Sequence, residues 1–212
     1  MTSRSRATTI LLVRHGHVPG IEPARFRGRV DVELTDQGIR QAQRLARRIA
    51  DQYRPLVVYT SPLRRCMETG RFIAVACAVP TRTLVCLNDL DYGGWQWKTH
   101  EQVAEESPSL FEAWRNSPHL LRFPNGESLQ DLLVRAADAL RIVLDQHLGE
   151  TVAMVSHESF NRVFLAHVMG LPLSAYWNIA QAPCALNEVA ISDGRVTVCR
   201  INQTVQLSDD AT

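Results

Sequence analysis

The sequence predicts an α/β fold: a three-layer αβα sandwich with a mostly parallel central sheet and an antiparallel edge. Three observations carry this. Apolar runs such as Ile10-Leu11-Leu12-Val13, Leu56-Val57-Val58-Tyr59 and Val152-Ala153-Met154-Val155 read as strands buried on both faces. Segments of helical apolar periodicity lie between them, the pattern of parallel strands joined by crossover helices. Near the end, residues 186–191 and 195–200 flank Ser192-Asp193-Gly194, a hairpin signal that supplies the antiparallel edge. The 212 residues, 45% hydrophobic and 21% charged, fit a single globular domain over 1–212.

The first strand stops abruptly at Arg14-His15-Gly16. Ligands of open α/β sheets gather at the carboxyl ends of strands, so a cation, an imidazole and a glycine there point to chemistry. Arginine holds phosphate or carboxylate by paired hydrogen bonds, and a neutral imidazole can act as base, metal ligand or nucleophile. A loop over 18–29 follows, in which Arg25, Arg27 and Arg29 alternate with Phe26, Gly28 and Val30. Thr35 is a natural N-cap for a helix to about Gln52 that buries Ile39, Ala42, Leu45, Ala46 and Ile49. The second strand, 56–59, leads through Thr60-Ser61-Pro62 into a helix over 63–79. That places Arg64 and Arg65 at a helix N-terminus, where a bound anion would offset their charge.

A third strand is expected over 82–87, ending in Asn88-Asp89-Leu90-Asp91-Tyr92-Gly93-Gly94-Trp95, a loop with two candidate general acids. Residues 95–124 read as a helical excursion, broken at Ser107-Pro108, that roofs the site like a lid. A long amphipathic helix, started by Pro124-Asn125-Gly126-Glu127-Ser128, then runs to about His147, with Gly149 as its stop. The fourth strand, 151–156, ends in His157-Glu158-Ser159, repeating the layout at His15. Two histidines at strand ends with arginines at their level form one constellation. His100, His119, His147 and His167 lack such company and read as structural. The tail from Asn202 is polar and expected to be loosely held.

Composition narrows the partners. With 23 basic and 22 acidic side chains the chain has no field favouring nucleic acid or an anionic membrane, and Lys98 is its only lysine. The apolar run after Thr9 is too short for a signal-peptide core or a membrane span, which makes the cytoplasm the expected location. Cys66, Cys77, Cys86, Cys184 and Cys199 show no CxxC spacing and read as reduced, mostly buried thiols.

These residues together resemble the histidine phosphatase superfamily, the phosphoglycerate mutase-like proteins. Arg14-His15-Gly16 matches its RHG motif. Residues 25–42, from Arg25 through Gly28, Asp31, Leu34-Thr35 and Gly38 to Gln41-Ala42, resemble its RxxGxxDxxLTxxGxxQA segment. Residues 60–69, Gly126-Glu127-Ser128 and Val155-Ser156-His157 also look like family motifs, so the resemblance covers nearly the whole chain.

The resemblance implies a phosphoglycerate mutase-like fold and a metal-independent phosphomonoesterase of the phosphatase branch, needing no cofactor. His15 would be the nucleophile that becomes phosphohistidine. Arg14, Arg65 and His157 would hold the phosphate, and Asp89, where the family more often has Glu, would be the general acid and base. Asp91 and Glu127 stand as substitute acids. Arg25, Arg27, Gly28 and Tyr92 are candidate substrate contacts, the substrate being a small phosphorylated metabolite. A homodimer is left open.

The chain departs from the family pattern at His17, Val18 and Ile21, at Trp97, where glycine is usual, and at Glu158, which replaces the glycine after the second histidine. The alternatives are a cofactor-dependent phosphoglycerate mutase and a catalytically impaired phospholigand-binding protein. Between Trp97 and Pro124 no arginine pair of the mutase sort stands out. A phosphohistidine-protein phosphatase carries less weight because the excursion from Trp95 to Pro124 implies a covered pocket for small ligands, and a metal-binding HxH at His15-Gly16-His17 because Arg14 would repel a cation.

Overall fold

The computed structural model describes residues 6–204. Six strands form one sheet in the order β3-β2-β4-β1-β5-β6, with β1 at Thr8–Arg14, β2 at Val58–Thr60, β3 at Thr81–Thr83, β4 at Thr151–Ser156, β5 at Leu186–Ser192 and β6 at Arg195–Gln203. β3, β2, β4 and β1 run parallel, and β5 and β6 add the antiparallel edge. Successive side chains of β1 go to opposite faces. Leu11 and Val13 pack with α1 (Asp36–Gln52) and α2 (Arg64–Cys77), while Ile10 and Leu12 pack with α5 (Leu129–Gln146) and α6 (Glu158–Val168). The three layers expected from the apolar runs are therefore present.

The 95–124 segment forms α3 (His100–Glu106), α4 (Pro108–Asn116) and short 3₁₀ turns at Gly93–Trp95 and Pro118–Leu120. It is anchored by rings, since Trp95, Trp114 and Phe123 are all buried and meet edge to face. Among the described residues no helix is long and apolar enough to cross a membrane.

Four expectations need correction. The strand over 82–87 is cut short at Thr83. β2 ends at Thr60 before Pro62, so after Leu84 donates to the Thr60 carbonyl at 2.9 Å the chain has no partner strand. It turns inward through a 3₁₀ turn at Val85–Leu87 that buries Leu87. The second strand begins at Val58, not at residue 56, where Leu56 is exposed. Asn202 is not loose: its amide donates to Asn187 Oδ1 at 2.9 Å, and its side chain accepts from Ala182 at 2.7 Å. The rest of that polar tail, from 205, lies outside the described residues, as do residues 1–5. Of the cysteines only Cys66 and Cys184 are buried, and Cys199 is exposed.

Candidate active site

The register of the two central strands builds the site. Arg14 of β1 lies opposite Ser156 of β4, so the next residues, His15 and His157, emerge side by side with ring centroids 5.3 Å apart. Behind His15 the chain passes hard against the start of α1. A Cβ on Gly16 would lie 2.6 Å from the Gly38 carbonyl oxygen, and one on Gly38 only 2.1 Å from that of His17, so both positions require glycine. Thr35 caps α1 through the Gly38 amide at 3.1 Å and also meets His17 Nδ1 at 2.9 Å. His17 is thus a partner of the helix cap.

His15 is buried, and its Nδ1 lies 2.7 Å from the Gly16 carbonyl. A carbonyl only accepts, so Nδ1 carries the proton and Nε2 keeps its lone pair. Burial, then Arg65, Arg14 and Arg27, hold the imidazole well below its ordinary pKa and therefore neutral at pH 7. His157 is neutral for the same first reason, burial, with Arg65 and His15 adding to it. Its Nδ1 accepts from Arg65 Nε at 3.2 Å, which puts its proton on Nε2, donated to Ser61 Oγ at 2.8 Å; Ser61 passes a hydrogen bond on to Asn88 Oδ1 at 3.2 Å. For His157 to touch a phosphate, its Nε2–H has to leave Ser61.

The arginines are clamped. Arg65 is fully buried and donates to the carbonyls of Val30 at 2.7 Å and Gly28 at 2.6 Å. Gly28, expected at the substrate, is buried, and its carbonyl holds Arg65. Arg14 Nη1 donates to the Gln181 carbonyl and Nη2 pairs with Glu158 Oε2 at 2.9 Å, leaving Nε–H buried without a partner. Nε of Arg27 is likewise buried and unpartnered. Unpaired buried donors beside a nucleophile are what an anion site offers. Arg64, predicted near the anion, turns outward to Asp31 and Glu33.

Glu158 is the notable departure. Its carboxylate lies among three cations, with Oε1 2.8 Å from Arg162 and Oε2 2.9 Å from Arg14 and 3.8 Å from Arg27. Those cations outweigh the opposing effect of burial and keep it ionised, with its pKa below the usual carboxylate value. Trp97, the other departure, has φ +69°, the left-handed region where glycine costs least. Arg25 stacks over its ring and donates to its carbonyl at 2.7 Å.

Asp89 is buried, with Oδ1 accepting from the Leu90 amide at 3.0 Å and Oδ2 3.5 Å from Arg65 Nη2. Burial pushes its pKa up, only partly offset by Arg65 and Arg27, which favours a carboxyl that holds a proton to give. The substitute acids are otherwise engaged. Glu127 pairs with Arg29 at 2.8 Å and Arg135 at 2.7 Å, and Asp91 pairs with Arg29 at 3.3 Å.

A cavity of about 200 Å³ adjoins this cluster, with Arg14, Arg25, Arg27, Tyr92 and Glu158 in its wall, while His15, Arg65, Asp89 and His157 lie buried behind Arg14 and Glu158. His100, read as structural from the sequence, also lines it. His147, read as lacking charged company, meets Glu150 at 2.8 Å and Tyr59 at 2.8 Å, remote from the site.

The sequence reading missed Ser61, Asn88, Gln181, Arg162 and Arg135. Arg135 straps the acid loop, donating to the carbonyls of Cys86, Asn88 and Asp89 at 2.9, 2.7 and 3.1 Å. The one available signal was the Gly126-Glu127-Ser128 motif, whose glutamate holds that arginine. Among the described residues no cluster of three or more His, Cys, Asp or Glu is placed to hold a metal ion.

Comparison with known proteins gives the chain's family. The profile of the histidine phosphatase superfamily (branch 1) matches residues 10–204. Phosphoserine phosphatase 1 of Hydrogenobacter thermophilus is 28% identical over 200 residues, covering 94% of each chain. The metal-independent phosphoserine phosphatase of Arabidopsis thaliana is 34% identical over 155 residues, 72% of this chain and 65% of that protein. Among solved structures, Bacillus stearothermophilus YhfR superposes with a TM-score of 0.87 at 28% identity, covering 94% of this chain and 98% of its own.

Proposed function

The chain belongs to the histidine phosphatase superfamily, and from that premise we propose that it hydrolyses a small phosphorylated metabolite through a phosphohistidine on His15. The observation that carries this is the free lone pair of His15 Nε2, set beside His157, with unpartnered N–H groups on Arg14 and Arg27, two of the cations whose charge acts on His15. In the first half-reaction Nε2 attacks phosphorus in line, the P–O ester bond breaks, and Asp89 gives its proton to the departing alkoxide. Arg14 and Arg65 offset the charge on the equatorial oxygens, and the neutral His157 donates its Nε2–H to one of them once it leaves Ser61. In the second, the Asp89 carboxylate takes a proton from water, whose oxygen attacks phosphorus. The P–N bond breaks, freeing inorganic phosphate and restoring His15.

Arg25, Arg27 and Tyr92 line the path of the leaving group, and the 95–124 segment acts as its roof within one domain. The named activity of the two phosphoserine phosphatases supports a hydrolase over a mutase. So does the excursion: its Arg122 is engaged with Asp131, and Arg115 lines an outer groove, so neither faces the inner cavity. We place the protein in the cytoplasm, acting on a soluble substrate.

The test is phosphate release from p-nitrophenyl phosphate and a panel of metabolite esters with chelator present. Release is expected from wild type and none from His15→Ala. Acid-labile label trapped on His15 from a ³²P-ester completes the assignment. Release that persists in His15→Ala, or that chelator abolishes, would overturn it.

A further inference from the structure

The inner cavity continues outward into a groove of about 410 Å³, and the two share His100, Trp114 and Trp177. The inner space holds little beyond a phosphate and a few carbon atoms, whereas the groove is of the size that takes a ring-bearing ligand. Its wall is aromatic. Trp114 and Trp177 meet at 4.9 Å between centroids and 72°, and His100 and Phe111 at 5.9 Å and 60°.

Trp177 is 41% exposed but not free. Its indole N–H donates to the Trp114 carbonyl at 3.1 Å, and the Arg162 guanidinium stacks 4.8 Å from its ring centre. An indole fixed in place and left open toward solvent is a ready stacking surface. Burial lowers the His100 pKa, so that ring is also uncharged at pH 7. The charged groups argue against a cationic leaving group: Arg14, Arg25 and Arg27 outnumber Glu158 in the cavity, and Arg115 lines the groove.

Resting on the phosphatase reading, we infer that the preferred substrates are phosphate monoesters whose alcohol carries a planar aromatic or heteroaromatic ring. The ring stacks against the exposed indole of Trp177, beside the buried Trp114, while the phosphate lies at His15. This class differs from the amino-acid ester that names two of the relatives.

The decisive comparison is kcat/KM for adenosine 5′-monophosphate against ribose 5-phosphate. Both break the same kind of primary ester, so Asp89 has the same task and only the ring differs. Wild type is expected to favour the nucleotide by roughly tenfold to a hundredfold, the range of one base–aromatic stack. Trp177→Ala should bring that ratio to within about threefold of one, and Trp177→Phe should keep part of it. A wild-type ratio near one, or a preference that survives Trp177→Ala, overturns the inference. Hydrolysis of ribose 5-phosphate and p-nitrophenyl phosphate in that same experiment leaves the phosphatase reading standing. Absence of release from all three esters removes both.

Discussion

The cluster at the ends of β1 and β4 and the aromatic roof over it are built on opposite principles. In the cluster, His15, Arg65, His157 and Asp89 are buried, and each has a named polar partner. The roof and the 3₁₀ turn at Leu173–Asn178 beside it are held mainly by ring edges, and they leave Trp177 and Leu110 exposed. The cluster tolerates little change because removing one partner strands another in a low-dielectric site. The roof can vary in shape without such a penalty. On the proposed mechanism, chemistry common to every substrate belongs to the first region and choice among substrates to the second.

The sharpest break of that division is His15→Ala, which should abolish turnover of every ester. Next is Asp89→Asn. It should cost ~10²–10⁴-fold with alkyl phosphates and much less with p-nitrophenyl phosphate, whose leaving group needs no proton. Equal losses on both would move the acid elsewhere.

Glu158→Gln probes the boundary between the regions. Removing the carboxylate frees Arg14 and Arg27 for phosphate, so the inhibition constant for inorganic phosphate should fall by up to about fivefold, the scale of one partly exposed ion pair. Arg14 loses a clamp at the same time, so kcat should fall while KM falls too. An unchanged phosphate constant would show that Glu158 does not compete for these arginines.

The smallest effect is on stability. His15 and His157 have folded-state pKa values below the unfolded 6.5, so the unfolded chain binds more protons once pH drops beneath that value. Melting temperature should therefore fall as pH goes from 7 toward 5. Asp89, raised above 3.8, works the opposite way at lower pH, because there the native state binds the extra proton. Replacing His157 by Asn should flatten the slope between pH 7 and 5, and an unaltered slope would place the acid sensitivity in other groups.

Much of the cluster could be read in advance because strand ends are local. An apolar run that stops at Arg14-His15-Gly16, and another at Ser156-His157, announce their chemistry through the residues that follow a buried strand. Asp89 was nameable only through family resemblance, since nothing in its neighbourhood separates it from Asp91. Arg65 burying its charge while Arg64 turns away, and Glu127 serving Arg135 rather than substrate, depend on contacts between segments dozens of residues apart. Helical periodicity placed Arg135 on a helix but could not say which carbonyls it meets.

By itself, then, the sequence determined the layered architecture and the two strand-end histidines with Arg14 beside the first, because hydrophobic period and strand termination act over a few residues. Only the tertiary structure decided the neutral tautomer of each histidine, the clamp of Gln181 and Glu158 on Arg14, and the shape of the aromatic groove. The reason is physical. A proton's position, a guanidinium's orientation and a cavity's wall are fixed by what packs against them from distant parts of the chain, and no local pattern carries that information.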